Sequence, residues 1–242
     1  MSSIYAYQER LDEGERFFED MDIVGNDEFD FVFEFADEDV DEEMDEPSDE
    51  SDELVFKNCR FSNVRRMFQE IPISNKVKFI DCKIVDGSCS EMFMKSLFTE
   101  IDVSGLDTSN VKWMNNMFSD CEGLEKLTLG ELNTSNVKSM KEMFAYCPNL
   151  ETLDLHSFDT SKVKDMESMF HACEKIKELD LSNFNTSNVE DMSEMFASCY
   201  KLEKLDIHSF DISAVEFYDN MFQDCSRLKD LDLKRFNKLV EM

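Results

Sequence analysis

Residues 106–129 read LDTSNVKWMNNMFSDCEGLEKLTL, and the same text returns, altered but in step, every 26 residues towards the C-terminus. Met-Phe falls at Met117-Phe118, Met143-Phe144, Met169-Phe170, Met195-Phe196 and Met221-Phe222. Val111, Val137, Val163, Val189 and Val215 keep the same step. So do Cys121, Cys147, Cys173, Cys199 and Cys225, and Leu127, Leu153, Leu179, Leu205 and Leu231. Met114, Met140, Met166 and Met192 form another column, closed by Tyr218. One such unit cannot bury its own apolar face, but stacked copies can, so a fixed period of this length marks a solenoid.

Within a unit, Val111, Met114, Met117, Phe118 and Cys121 are spaced as one face of a short helix. Leu124, Leu127 and Leu129 follow in LxxLxL spacing, whose end alternates inward and outward as a short strand does. The strand mark extends upstream to Ile101-Asp102-Val103, Ile80-Asp81-Cys82 and Leu54-Val55-Phe56, with a shortened step between Ile80 and Ile101. Met67-Phe68 and Met92-Phe93 lie off the main register, so the first units are degenerate, as terminal repeats often are. The expected organisation is an acidic N-terminal segment, 1–53, and a solenoid, 54–242. Within the solenoid, 54–100 are degenerate repeats, 101–233 regular repeats and 234–242 a C-terminal end.

The order Phe-x-x-Cys-x-x-Leu-x-x-Leu-x-Leu, carried by Phe118, Cys121, Leu124, Leu127 and Leu129, resembles the BspA-like leucine-rich repeats. Residues 179–196, LDLSNFNTSNVEDMSEMF, are similar to the 26-residue-repeat surface proteins of that group. The resemblance is close over about residues 100–233 and loose over 54–99. It implies a right-handed α/β leucine-rich-repeat solenoid, with a short parallel β-sheet on one face and short helices on the other. It also implies surface display, adhesion and protein binding. The N-terminus departs from the group in showing neither an export signal nor a lipid attachment site, which by sequence alone points to the cytoplasm.

Charge narrows the partners. Residues 1–53 hold 23 acidic side chains against Arg10 and Arg16 alone, and so most of the chain's net charge of -30. An acidic surface repels phosphate backbones and anionic lipid, which argues against nucleic acid. No stretch has the ~20 apolar residues of a membrane helix. A protein with a basic surface is the favoured partner. Self-association through the ends is the alternative, because Lys229, Lys234, Arg235 and Lys238 make the C-terminal end basic.

Candidate sites lie where the repeat leaves polar or exposed groups. Asp102, Asp154, Asp180, Asp206 and Asp232 share the outward middle position of the strand, with Asp81 at the same place earlier and Thr128 interrupting the run. They form either an electrostatic face for a basic partner or a solvated face relieved by Lys126, Lys177, Lys204 and Lys229. Trp113 and Phe217 share a column that faces solvent and are candidate interface anchors. Phe29, Phe31, Phe33 and Phe35 alternate with polar or aliphatic residues. That segment reads either as a motif that adds to a partner's sheet or as a cap over the first coil. Residues 8–21 are expected to form a short acidic helix, and residues 37–53 to be a disordered linker.

The cysteine and methionine columns read as core. His156, His171 and His208 read as surface residues. Asp107, Asn133, Asp159, Asn185 and Asp211 read as turn residues that cap helices and satisfy loop amides. No catalytic, metal or cofactor constellation converges, so the expected function is a non-catalytic protein-interaction module used for adhesion or scaffolding. The alternative is a structural protein, such as a virion or surface-layer component, that self-associates.

Overall fold

The computed structural model describes residues 15–25, 53–69, 71 and 74–228. Eleven short strands lie in these residues, and every strand pair is parallel. The first sheet is built from β1 (Phe17–Glu19), β3 (Glu53–Lys57), β5 (Lys76–Ile80), β7 (Glu100–Asp102) and β9 (Lys126–Thr128), in that order. β2 (Asp22–Val24), β4 (Arg60–Ser62), β6 (Cys82–Ile84) and β8 (Leu106–Asp107) form a second sheet. β10 (Glu178–Asp180) and β11 (Lys204–Asp206) continue the strand column of β9 further along the chain. A third line of single-residue bridges runs Ser88, Trp113, Ser139, Asp165, Asp191, Phe217. The three ladders surround a shared core, the second sheet running through the first coils to Leu106–Asp107 and the line of bridges from Ser88 onward.

The core is what the repeat columns specify. The Val, Met, Met-Phe and Cys columns are fully buried from Val111 to Cys199. The Phe column forms one continuous stack through Phe68, Phe93, Phe118, Phe144, Phe170, Phe196 and Phe222. Its ring centroids lie 4.9–5.7 Å apart and its planes are within 12° of parallel. Burying each ring contributes roughly 2–3 kcal/mol, and stacking adds to it.

The expected short helices are not there: no helix occurs among the described residues. Residues 114–121 instead run as consecutive turns. Met117 N–H donates to the Met114 carbonyl and Ser119 N–H to the Asn116 carbonyl. The intervening amides leave the coil: Asn116 donates to Lys141, Phe118 to Met143 and Asp120 to Ala145. A helix would keep these bonds inside the segment. Here alternate amides serve the next coil, so the segment is stable only when stacked. The spacing that suggests a helix identified the buried face correctly, because a chain of turns also returns to one side every three or four residues.

These turns put two residues per coil in the left-handed region. Asn116 and Asp120, Glu142 and Tyr146, Ser168 and Ala172, and Glu194 and Ser198 have φ of 54–61°. Such a conformation costs a non-glycine residue about 1–2 kcal/mol. Ser198→Gly is therefore expected to raise the urea midpoint, by up to about 1 kcal/mol of stability, and Ser198→Ile to lower it. Equal midpoints for the two variants would contradict the assigned backbone.

Three further expectations are corrected. Within the expected 8–21 helix, Phe17–Glu19 is instead a strand, paired with β3. Phe18 is buried there and stacks on Phe56 at 5.4 Å, and the same first coil packs closely at Gly25, where a Cβ would lie 1.7 Å from the Asn63 carbonyl oxygen. In β5, Val77 and not Ile80 lies opposite Ile101, so Asp81 is outside the aspartate column and occupies a tight turn at φ 51°. Residues 153–155, expected to be a strand, make no ladder with either neighbour, and the first sheet stops at β9 before β10 resumes it. Two clefts open beside this coil, of about 530 and 150 Å³.

Candidate protein-binding face

The aspartates at the strand exit share one local geometry. Oδ1 of Asp102 accepts the Ser104 amide at 3.0 Å, that of Asp154 the His156 amide at 3.2 Å, that of Asp180 the Ser182 amide at 3.0 Å, and that of Asp206 the His208 amide at 3.1 Å. Each is an Asx turn that bends the chain out of the sheet. The column is therefore held in place by its own backbone. Asp154, Asp180 and Asp206 are exposed and Asp102 is half-buried.

The neighbouring outward position is largely neutralised between coils. Glu100 lies 3.2 Å from Lys76 Nζ and 3.3 Å from Lys126 Nζ, and Glu178 lies 2.5 Å from Lys204 Nζ. The aspartates receive less. Lys78 approaches Asp102 at 3.9 Å, and His156 and His208 lie 2.7 and 2.6 Å from Asp154 and Asp206. Asp180 faces Asp206 across the β10–β11 pair. Hydrogen bonds from Ser182 hold the Asp180 carboxyl below the usual carboxylate range; His156 does the same for Asp154, and His208 for Asp206. Conversely, Asp154 and then Glu131 raise the affinity of His156 for a proton. Bonded to their own amides, these carboxylates stay ionised at neutral pH.

A second Asx column lies on the next bend. Asp107, Asn133, Asp159, Asn185 and Asp211 accept the amide two residues on, at 2.9–3.1 Å. They satisfy loop amides as expected but cap no helix. Asp107 also meets Lys83 Nζ at 2.8 Å; that contact, then the Ser109 bonds, lowers its carboxyl to about 2. A depressed carboxyl contributes stability above its unfolded pKa of about 3.9 and loses it as the pH falls through the folded value. Asp107→Asn is thus expected to flatten the fall in urea midpoint between about pH 4 and 2, leaving the slope above pH 5 unchanged. An unaltered acid limb would count against the Lys83 contact.

The sequence reading missed the threonines between these columns. Thr108, Thr134, Thr160 and Thr186 are buried, and each hydroxyl donates to a carbonyl 25 residues ahead, at 2.8–3.0 Å. Three of them also accept the amide of that same residue, Asp159, Asn185 or Asp211. The unbroken Thr column was the visible signal.

Trp113 and Phe217 are exposed at 43% and 55%, but they sit on the third ladder, on a different side of the coil from the aspartates. Their column is a bridge ladder and not a helix, and Ser139 within it is buried. Asp232, Phe29, Phe31, Phe33 and Phe35 lie outside the described residues, as do the basic residues 229–238. His156 and His208 are exposed, as expected; His171 is half-buried. Its ring packs 4.9 Å from Tyr146, with Nδ1 3.1 Å from Glu194.

The smaller cleft brings Asp154, His156, Asp180 and Ser182 together. Asp154 and His156 are oriented like the base pair of a hydrolase triad, but His156 Nε2 turns to Glu131, 3.4 Å away in the preceding coil. Ser182 lies in the following coil, so the imidazole is not aimed at a nucleophile. The larger cleft is lined by Glu100, Glu125, Lys126, Asn149, Glu151, Thr152 and Lys175, whose acids and amines offset one another. Among the described residues, no three His, Cys, Asp or Glu side chains gather to hold a metal ion. The Cys column is buried at Cys121, Cys147, Cys173 and Cys199, and half-buried at Cys225. Burial pushes the Cys199 and Cys225 thiols up to about 12 and 11.

A family profile matches residues 62–153, 87–178 and 144–242 in overlapping frames that follow the repeats. The chain belongs to the family described as "Mycoplasma protein of unknown function, DUF285". The BspA-like resemblance read from residues 179–196 is met by this DUF285 match. No curated protein matches the chain. Among solved structures, a leucine-rich-repeat protein from T. pallidum is similar at 16% identity and TM-score 0.41, over 78% of this chain and 89% of that one. A leucine-rich cell surface protein from Faecalibacterium prausnitzii A2-165 is similar at 18% identity and TM-score 0.36. That match covers 72% of this chain and 41% of the other.

Proposed function

We propose that this DUF285 chain is a non-catalytic protein-binding module whose sheet face, bearing Asp102, Asp154, Asp180 and Asp206, meets a basic surface on a protein partner. The observation that carries the reading is the Asx geometry: it fixes a row of ionised, outward carboxylates in place without neutralising them. Successive rows rise by about 4.8 Å, a spacing over which an extended basic segment or flat basic surface makes several contacts at once. In this reading the contact is carried by the coils that bear these aspartates, from Asp102 to Asp206, and not by the acidic N-terminal residues. Adhesion and scaffolding are both uses that such a face would serve.

The test keeps the fold and removes the charge. Asn retains the Asx acceptor, so the fourfold variant Asp102→Asn, Asp154→Asn, Asp180→Asn, Asp206→Asn should match the parent in circular dichroism. Capture on immobilised parent and variant, followed by mass spectrometry, should return basic proteins on the parent that the variant loses. The same proteins on both would sink the proposed face. Protonation of His156 neutralises Asp154 as the pH falls, so capture should also weaken in mild acid.

A further inference from the structure

The third ladder carries a charge pattern of its own. Trp113 and Phe217 are its exposed positions, and Asp165 lies midway, two coils from each. Lys112 and Lys138 are exposed beside the Trp113 end. Glu216 and Asp219 are exposed beside the Phe217 end. None of these four joins an ion pair with another described residue, whereas the groups between them are paired: Lys141 with Glu167 at 2.5 Å and Lys164 with Glu190 at 2.6 Å. The face is thus basic at one end and acidic at the other, with a half-exposed aromatic ring at each end. Exposed rings of this size, rimmed by charge, mark contact surfaces.

We propose that this face binds a second copy of the chain, antiparallel, about a two-fold axis through the Asp165 coil, so that Trp113 of each copy packs on the partner's Phe217. The reversal is what makes the face complementary to itself. A parallel alignment sets Lys112 against Lys112 and Glu216 against Glu216. The antiparallel one sets Lys112 against the partner's Glu216 and Lys138 against the partner's Glu190, and each contact occurs twice, as an isologous interface requires. At the axis, Lys164 of each copy falls opposite the partner's Lys164, with the partner's Asp165 diagonal to it, and each Lys164 is held by Glu190 of its own copy at 2.6 Å. Asp165 is half-buried, and burial, and then the charge of Asp191, raises its carboxyl above the usual range.

A second copy also fits better than a foreign protein. The rings sit about 10 Å to either side of the midpoint, and a second copy carries the same coil rise of about 4.8 Å, so its rows meet these one for one. The area is modest, so the dimer is concentration-dependent and salt-sensitive rather than obligate. It leaves the aspartate face of both copies free, and so stands independently of the function proposed for that face.

Sedimentation velocity on the full chain over a concentration series, at low and high salt, reads the proposal directly. The parent is expected to form a dimer that salt weakens. Lys112→Glu alone and Glu216→Lys alone should each weaken it about tenfold or more, because each places like charges together twice. An equimolar mixture of the two should recover a dimer, since one Glu-Lys contact is reversed and the other is native. Phe217→Ala should weaken association without changing circular dichroism. Trp113 is the single tryptophan of the chain, so its emission should shift to the blue as the dimer forms. A parent that sediments as a monomer throughout, single variants that dimerise like the parent, or a mixture that fails to recover the dimer would each overturn the assignment.

Discussion

Phe144→Ala should destabilise the protein by about 3–5 kcal/mol, the usual range for deleting a fully buried ring. Phe144 is 0% exposed and lies between Phe118 and Phe170, with centroids 5.7 Å away on both sides and planes within 10° of parallel. The stack cannot close over the loss, because ring spacing is set by the coil rise and not by the rings. A solenoid is joined only through nearest-neighbour interfaces, so a defect in the middle weakens the coupling of the two halves as well. Urea unfolding followed by circular dichroism should show a lower midpoint, and a transition broader than that of the parent. Phe222→Ala should cost less, because Phe222 is half-buried in the last described coil. A loss below about 1 kcal/mol at Phe144 would mean that the stack is incidental to stability.

Thr160→Val should cost about 2–4 kcal/mol despite preserving shape, and Thr160→Ser only about 1 kcal/mol. The Thr160 hydroxyl donates to the Asn185 carbonyl at 3.0 Å and accepts the Asn185 amide at 2.8 Å. Valine leaves both of these backbone groups without their partner inside the stack, and an orphaned buried group costs about 1–3 kcal/mol. Serine loses a methyl group but keeps both bonds. Equal stability of the two variants in the same urea assay would show that the hydroxyl ladder contributes nothing beyond packing.

These two ladders mark what a linear reading can and cannot reach. The Phe column is legible because burial acts on side-chain type, and a 26-residue step in Phe118, Phe144 and Phe170 reports it directly. The Thr column is equally regular, but the partner of each hydroxyl is 25 residues away, and nothing local distinguishes it from a turn threonine. The helix expectation failed for a related reason. Val111, Met114, Met117, Phe118 and Cys121 are spaced alike in a helix and in a chain of turns. Glycine would have betrayed the turns, but Asn116, Glu142, Ser168 and Glu194 occupy the left-handed positions instead. Bonds to the next coil outweigh their local strain, and those bonds exist only in the stack.

The candidate face was legible in part. The column of Asp102, Asp154, Asp180 and Asp206 follows from the repeat, but its choice between binding face and solvated surface did not. The amides of Ser104, His156, Ser182 and His208 supply the structural reason for an aspartate at that place, leaving the outer oxygens for the proposed contact. The first coil was illegible because its step is 38 residues, as between Glu19 and Lys57, so Phe18 falls outside any 26-residue frame.

In the proposed function, the scaffold displays aspartate carboxylates to a basic protein. Titration calorimetry of a captured partner against the parent and the fourfold Asp→Asn variant, at low and high salt, tests it most directly. The parent is expected to bind with an affinity that falls steeply as salt rises, and the variant, folded as the parent is, to bind at least about tenfold more weakly with a shallower salt dependence. Equal affinity and equal salt dependence for the two proteins would contradict it.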